Sequence, residues 1–285
     1  MVIDKIGKFT VLNTLGSGAH SSILQIRRAD DDREYALKLV DIGGKEDLKY
    51  LDQAKHEFRV GQMLNHPNLV KVYALETEGG WFSGPKKAKL LIEYVPGRTM
   101  DRLPLLKMAK LLRVLERIAD GLTHMHKQGV CHADMKPNNL MYDRGTRVKV
   151  LDYGLAWVRG ESKDRVQGTP EYIAPETVEH KLVNERTDIY NFGATMYRLA
   201  TLQLPPSWFA GDGMLPMTKK LFKEQLKPVR AANPLVPEGL ADLIHQCLQP
   251  NATKRPERMS HVQGTLDQLA DEAAAKLDDP GVLEE

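Results

Sequence analysis

The sequence predicts an α+β fold that is β-rich toward the start of the chain, with one charged helix there, and mainly helical beyond it. Three observations carry that expectation. Residues 9–40 alternate apolar and polar side chains with turn signals between them, as a strand–turn–strand–turn–strand meander does. From Leu105 to Lys127, Leu111, Leu112, Leu115, Ile118, Ala119, Leu122 and Met125 recur at helical spacing, and more helical stretches follow. The 285 residues suffice for one large domain or for two lobes. Residues 277–285 read as an acidic tail.

Composition narrows the function classes. Apolar residues make up 42% and charged residues 27% of the chain, which is ordinary for a globular protein, and the net charge is +2. That balance offers no bulk electrostatic case for nucleic acid or a membrane surface. No run of 18 apolar residues occurs and MVIDKIGKF has no apolar signal core, so no membrane insertion within this chain and a cytoplasmic location are expected. Two cysteines, Cys131 and Cys247, make no disulfide framework and fit a reducing compartment; Cys131 is expected to pack as apolar filler. Oligomeric state and source stay open.

In chain order, the first turn is Gly16-Ser17-Gly18-Ala19-His20-Ser21, followed by Ile23. Small residues there let backbone N–H groups approach a phosphate. The third strand, Tyr35-Ala36-Leu37-Lys38, ends on a lysine that needs a partner in an apolar setting. Residues 46–65 read as a charged helix containing Glu57, stopped before Pro67. His56-Glu57 lacks the second histidine of a zinc-protease motif. Glu76–Lys89 reads as a mobile Gly- and Lys-rich hairpin loop, and Leu90–Val95 as a strand broken by Pro96-Gly97. The long helix ends at Gly129, with His124 and His126 as a polar helix end. Residues 130–154, VCHADMKPNNLMYDRGTRVKVLDYG, hold Asp134, Lys136 and Asn139 on one short loop and Asp152 after the strand Val148–Leu151. One acid to orient a hydroxyl, with a second acid and an amide as hard oxygen ligands, suits phosphoryl transfer with magnesium. Helices are expected over 187–200, near 217–226, and over 238–248 and 259–276.

This pattern resembles the protein kinase family over about residues 9–276. HADMKPNN stands where the family has HRDLKPEN, and DYG where it has DFG. GSGAHS resembles the glycine-rich loop with Ser21 for its third glycine, and YALK the VAIK strand. GTPEYIAPE resembles the end of the activation segment. The resemblance implies a two-lobed protein-kinase fold, with a small β-rich N-lobe with one main helix over 1–95 and a larger, mainly helical C-lobe over 96–276, ATP and Mg2+ (or Mn2+) as cofactors, and protein substrates of unknown identity phosphorylated on serine or threonine. It implies that Asp134 is the base, that Lys136 neutralises the transferred group, and that Thr169 sits between them. Asn139 and Asp152 would hold the metal, Lys38 with Glu57 the α/β-phosphates, and Gly16 and Gly18 would cover them. Ile23, Ala36 and Met141 would sandwich the adenine, with Ile92 as gatekeeper and the Glu93 carbonyl and Val95 backbone on its edge. Asp188 would bond the catalytic-loop backbone, and Arg255 would pair with Glu176.

Three other functions compete. A pseudokinase scaffold would lack the lysine, asparagine or aspartate, and none is missing. An aminoglycoside-type small-molecule phosphotransferase normally lacks GTPEYIAPE and its arginine partner. A nucleic-acid module would need a basic patch with aromatics. Two departures from the family pattern carry expectations. The arginine that precedes the catalytic aspartate is Ala133, and the usual phosphate-bearing position is Arg165, so activity should not depend on activation-loop phosphorylation. Gly61, one turn beyond Glu57, replaces a large apolar residue that would stack on Tyr153. That gap would be filled by the tyrosine or by Met63 or Leu64. Otherwise the helix is loosely held, so that Lys38–Glu57 pairing is incomplete until ATP or a partner binds, which is the expectation taken here.

Overall fold

The computed structural model describes residues 5–18, 20–80, 84–143, 147–162, 166–209 and 217–277. Arg165 and the acidic tail from residue 278 lie outside the described residues. The chain divides into two compact units, one running to Pro96 together with Asp152–Gly154, the other holding the rest.

The first unit is a six-stranded antiparallel sheet with one helix. Its strands are β1 (Lys5–Ile6), β2 (Phe9–Ser17), β3 (Ser21–Arg28), β4 (Glu34–Asp41), β5 (Val72–Gly80) and β6 (Gly84–Glu93), in the order β1-β2-β3-β4-β6-β5. The helix α1 spans Leu48–Met63. Alternation along β4 divides its side chains between two faces. Tyr35 and Leu37 join Ile26 in one cluster, while Val40 joins Ala88 with Leu51 and Ala54 of α1. Lys38 has the same parity as Val40, which puts it on the helix side of the sheet.

Two expectations are corrected in this unit. The stretch Glu76–Lys89 is mostly strand: Glu76 pairs with Lys89 and Glu78 with Lys87 across β5 and β6, and Lys89 also bonds the Glu78 carboxylate. Lys89 forms an ion pair with Glu78 across the two strands and Lys87 with Asp41 of β4 at 3.3 Å, so charges that resemble a solvated loop meet across the sheet. The second correction concerns Gly61. A Cβ built there would lie 2.5 Å from Val72 Cγ2, so the β5 valine packs directly onto the bare helix backbone. Tyr153 is fully buried and donates from its hydroxyl to the Val70 carbonyl at 2.8 Å. The Lys38–Glu57 pair is formed at 2.7 Å, where incomplete pairing is the sequence expectation. Gly61→Leu is therefore expected to overpack the contact and lower stability by about 1–3 kcal/mol in urea unfolding. A leucine variant as stable as wild type would show that the space is open after all.

The second unit begins with β7 (Arg98–Thr99) and the long helix α2 (Met108–Lys127). Short strands β8 (Val130–Cys131), β9 (Leu140–Tyr142), β10 (Val148–Val150) and β11 (Trp157–Val158) follow, β9 pairing with both β7 and β10, and β8 with β11. Helices α3 (Pro175–His180), α4 (Glu185–Thr201), α5 (Lys219–Gln225), α6 (Val229–Ala232), α7 (Glu238–Cys247) and α8 (Met259–Leu277) complete it. Helix α4 is buried from Thr187 to Tyr197. It starts two residues before the expected Thr187, because Asn184 accepts from the backbone of Arg186 and Thr187 while Thr187 bonds back to Asn184 N. Arg113 on α2 reaches Asp267 and Asp271 on α8 at 2.8 and 2.6 Å. Among the described residues no helix is long and apolar enough to cross a membrane.

Candidate active site

In the first unit, the ladder places Ile23 opposite both Gly16 and Lys38, and Ala36 opposite Ile92. Strand β4 aims Lys38 at α1, where its ammonium meets Glu57 Oε2 at 2.7 Å; Glu57 is only 3% exposed. Asp152 Oδ1 stands 4.0 Å from the same ammonium. Burial is the largest influence on Lys38 and pulls it down, but the Glu57 and Asp152 carboxylates outweigh it and hold the lysine protonated. Asp152 adopts φ 61°, a left-handed conformation that aspartate tolerates, and its Oδ1 accepts from Gly154 N at 3.0 Å. Gly18 N bonds Ser21 O at 2.7 Å, closing the glycine turn locally. Lys38, Asp152, Gln53, Tyr50, His20 and Ser21 line a cavity of about 390 Å³. Glu93 ends β6, its N–H on the Lys71 carbonyl and its carboxylate on Lys71 N.

In the second unit, the loop after β8 is shaped by Asp188 from below. This fully buried carboxylate accepts from His132 N at 2.7 Å, Ala133 N at 2.8 Å and the His126 ring at 2.9 Å. Burial pushes Asp188 up, but the His126 hydrogen bond and the nearby histidines and backbone N–H outweigh it, so the carboxyl stays below its ordinary range. The clamp holds Ala133 at φ 62°, a conformation that costs a non-glycine residue and persists because its N–H is captured. His132 bonds the Leu151 carbonyl through Nε2 at 3.0 Å.

That bend presents Asp134. Its Oδ1 accepts from Thr169 N at 3.0 Å and Thr169 Oγ1 at 2.9 Å. Lys136 Nζ lies 2.8 Å from Oδ2 and donates to Thr169 Oγ1 at 2.6 Å. Asn139 Nδ2 bonds the Asp134 carbonyl at 2.8 Å and Oδ2 at 3.3 Å, which commits its amide nitrogen. Met141 is half-buried in β9, opposite Lys149 and Thr99. Glu176 and Arg255 form a buried bidentate pair at 2.7 and 2.9 Å. His126 departs from the expected polar helix end: it is buried on Asp188. The sequence signal for this is weak, because the partner is 62 residues away. His20 and Tyr50 were also missed as a pair.

Comparison with known proteins identifies the family. The family described as "Protein kinase domain" matches residues 9–266. The chain is 25% identical over 84% of its length to "Serine/threonine-protein kinase PrkC" of Bacillus subtilis and 30% identical over 93% to "Serine/threonine-protein kinase pkn2" of Myxococcus xanthus. It is 29% identical over 89% to "CBL-interacting protein kinase 8" of Oryza sativa subsp. japonica. The matches cover 37%, 32% and 56% of those proteins, so the chain spans about a third to just over half of their length. A family match across most of the sequence, over a sheet-and-helix unit followed by a helical one, has one reading: the chain belongs to the protein kinase family.

Proposed function

We propose that the chain transfers the γ-phosphate of ATP to serine or threonine hydroxyls of proteins. The observation that carries this is the arrangement at Asp134, where a carboxylate, a lysine and a threonine converge within 3.0 Å of one another. Asp134 would accept the proton of the acceptor hydroxyl, and Lys136 would neutralise the transferred phosphoryl group. Thr169 ties both to the segment that receives the acceptor. Lys38, held by Glu57, would bind the α/β-phosphates, with Gly16 and Gly18 over them. Ile23, Ala36 and Met141 would flank the adenine, and the Glu93 and Val95 backbone would meet its edge.

The donor chemistry of Asp152 and Asn139 fits a hard divalent cation: one carboxylate and one amide oxygen whose nitrogen is already committed. Such oxygens suit Mg2+ or Mn2+, and the ion would neutralise charge on the phosphates. The serine/threonine class is supported by the names of the relatives and by Lys136 and Thr169. The pair of Glu176 and Arg255, in the APE element and after α7, favours a protein acceptor over an aminoglycoside-like one.

The same site supports independence from activation-loop phosphorylation. Ala133 has no side chain to grip a phosphate, and its N–H is committed to Asp188. Labelled ATP with magnesium and a generic protein acceptor tests both points. Phosphate should pass to serine or threonine, and phosphatase-treated enzyme should be as active as untreated. No transfer would refute the enzyme reading. A loss above about tenfold, restored by autophosphorylation, would refute the independence alone.

A further inference from the structure

We propose that His20 and Tyr50 form a clasp that sets the end of the β2–β3 hairpin against α1 before nucleotide arrives, which makes His20 a positioning residue for the ATP phosphates. The proposal rests on the kinase reading above. The His20 imidazole stacks on the Tyr50 ring, centroids 4.3 Å apart and planes 21° from parallel. The backbone carbonyl of His20 accepts from Asp41 N at 3.1 Å, at the end of β4. His20 Nδ1 is 3.8 Å from Asp47 Oδ1, beyond hydrogen-bond range, and the other Asp47 oxygen accepts from Gly43 N at 2.9 Å. The proposed side-chain attachment is therefore the aromatic stack, with no hydrogen bond to Asp47 beside it.

Tyr50 occupies the first turn of a face of α1 that meets a different element at each turn. Positions 50, 53, 57 and 61 follow one another at helical spacing. Tyr50 meets His20 of the hairpin. Gln53 lies against Gly154, where an added Cβ would come within 2.8 Å of its Nε2. Glu57 holds Lys38, and Gly61 receives Val72. One helix face thus references the hairpin, the Asp152 segment, the phosphate lysine and β5 to one another. His20, Tyr50, Gln53, Lys38 and Asp152 also share the wall of the 390 Å³ cavity.

A turn containing Gly16 and Gly18 is costly to order, because glycine surrenders the most backbone freedom. Ordering it in advance removes that cost from nucleotide binding. A stacked aromatic pair is worth enough to shift affinity by about two- to tenfold.

The test uses the full chain, with calorimetric binding of a non-hydrolysable ATP analogue plus magnesium and steady-state kinetics alongside. His20→Ala and Tyr50→Ala should each raise the Kd and the KM for ATP by about two- to tenfold while changing kcat less than twofold. The double variant should be no weaker than either single, because both remove the same contact. His20→Phe should restore binding by restoring the stack. Unchanged Kd in His20→Ala, or single effects that multiply in the double variant, would overturn the clasp. Wild-type chain that binds no nucleotide would overturn the kinase reading itself, a distinguishable result.

Discussion

Asp152→Asn and Asp134→Asn are each expected to lower kcat by about two to four orders of magnitude while the protein stays folded. Under the proposed assignment, the reason for Asp152 is charge at the metal it would hold. Asparagine keeps one amide oxygen but loses the anion that would balance a divalent cation beside Lys38. It also suits the backbone, since residue 152 sits at φ 61°, which asparagine adopts as readily as aspartate. The loss therefore reports chemistry rather than strain. For Asp134, as the proposed base, the reason is the proton it would accept. An amide cannot accept it, and an amide NH2 would face Lys136 or Asn139 Nδ2 on one side or the two Thr169 donors on the other. Turnover at saturating magnesium, with circular dichroism to confirm folding, checks both. Near-wild-type turnover by Asp152→Asn would end the metal-ligand assignment.

Arg255→Met is expected to cost about 3–5 kcal/mol of unfolding free energy. The Arg255 side chain is fully buried. Its guanidinium donates to both Glu176 oxygens, to the Gln249 carbonyl at 2.8 Å and to the Arg186 carbonyl at 2.8 Å. It also lies over the Tyr190 ring, 4.8 Å from its centroid. Removing it strands the Glu176 carboxylate, whose remaining partner here is the Thr187 hydroxyl at 3.1 Å. Lysine should rescue little, because one ammonium cannot replace a planar fork. Adding Glu176→Gln to Arg255→Met should recover part of the loss, since no charge is then left unpaired. The urea midpoint measures each variant. A single-variant cost below about 1 kcal/mol would mean the pair is solvated rather than structural. Domains of this kind have about 5–15 kcal/mol in total, so the expected loss is a large share.

Much of the site was legible because its members are local in sequence. Asp134, Lys136 and Asn139 fall within six residues, and their spacing on one loop implies convergence whatever the rest of the chain does. The meander over 9–40 and the helix through Met125 follow from periods of two and 3.6, which are properties of the backbone itself. The lysine at the end of Tyr35-Ala36-Leu37-Lys38 announces a buried charge in need of a partner, and Glu57 is that partner.

What the sequence by itself determined, then, were most element types and the family. Tertiary structure alone decided the fits between surfaces far apart along the chain. Gly61 reads as a gap because a missing side chain is visible in a sequence and the Val72 that closes on it is not. His126 reads as polar because its partner Asp188 belongs to another helix. Glu76–Lys89 reads as a loop because solvated charges and cross-strand charges have the same composition. The stack of His20 on Tyr50 joins a turn to a helix, and no local pattern encodes it. Each case has the same physical cause: packing and ion pairing depend on distance in space, whereas periodicity and capping depend only on neighbours along the backbone.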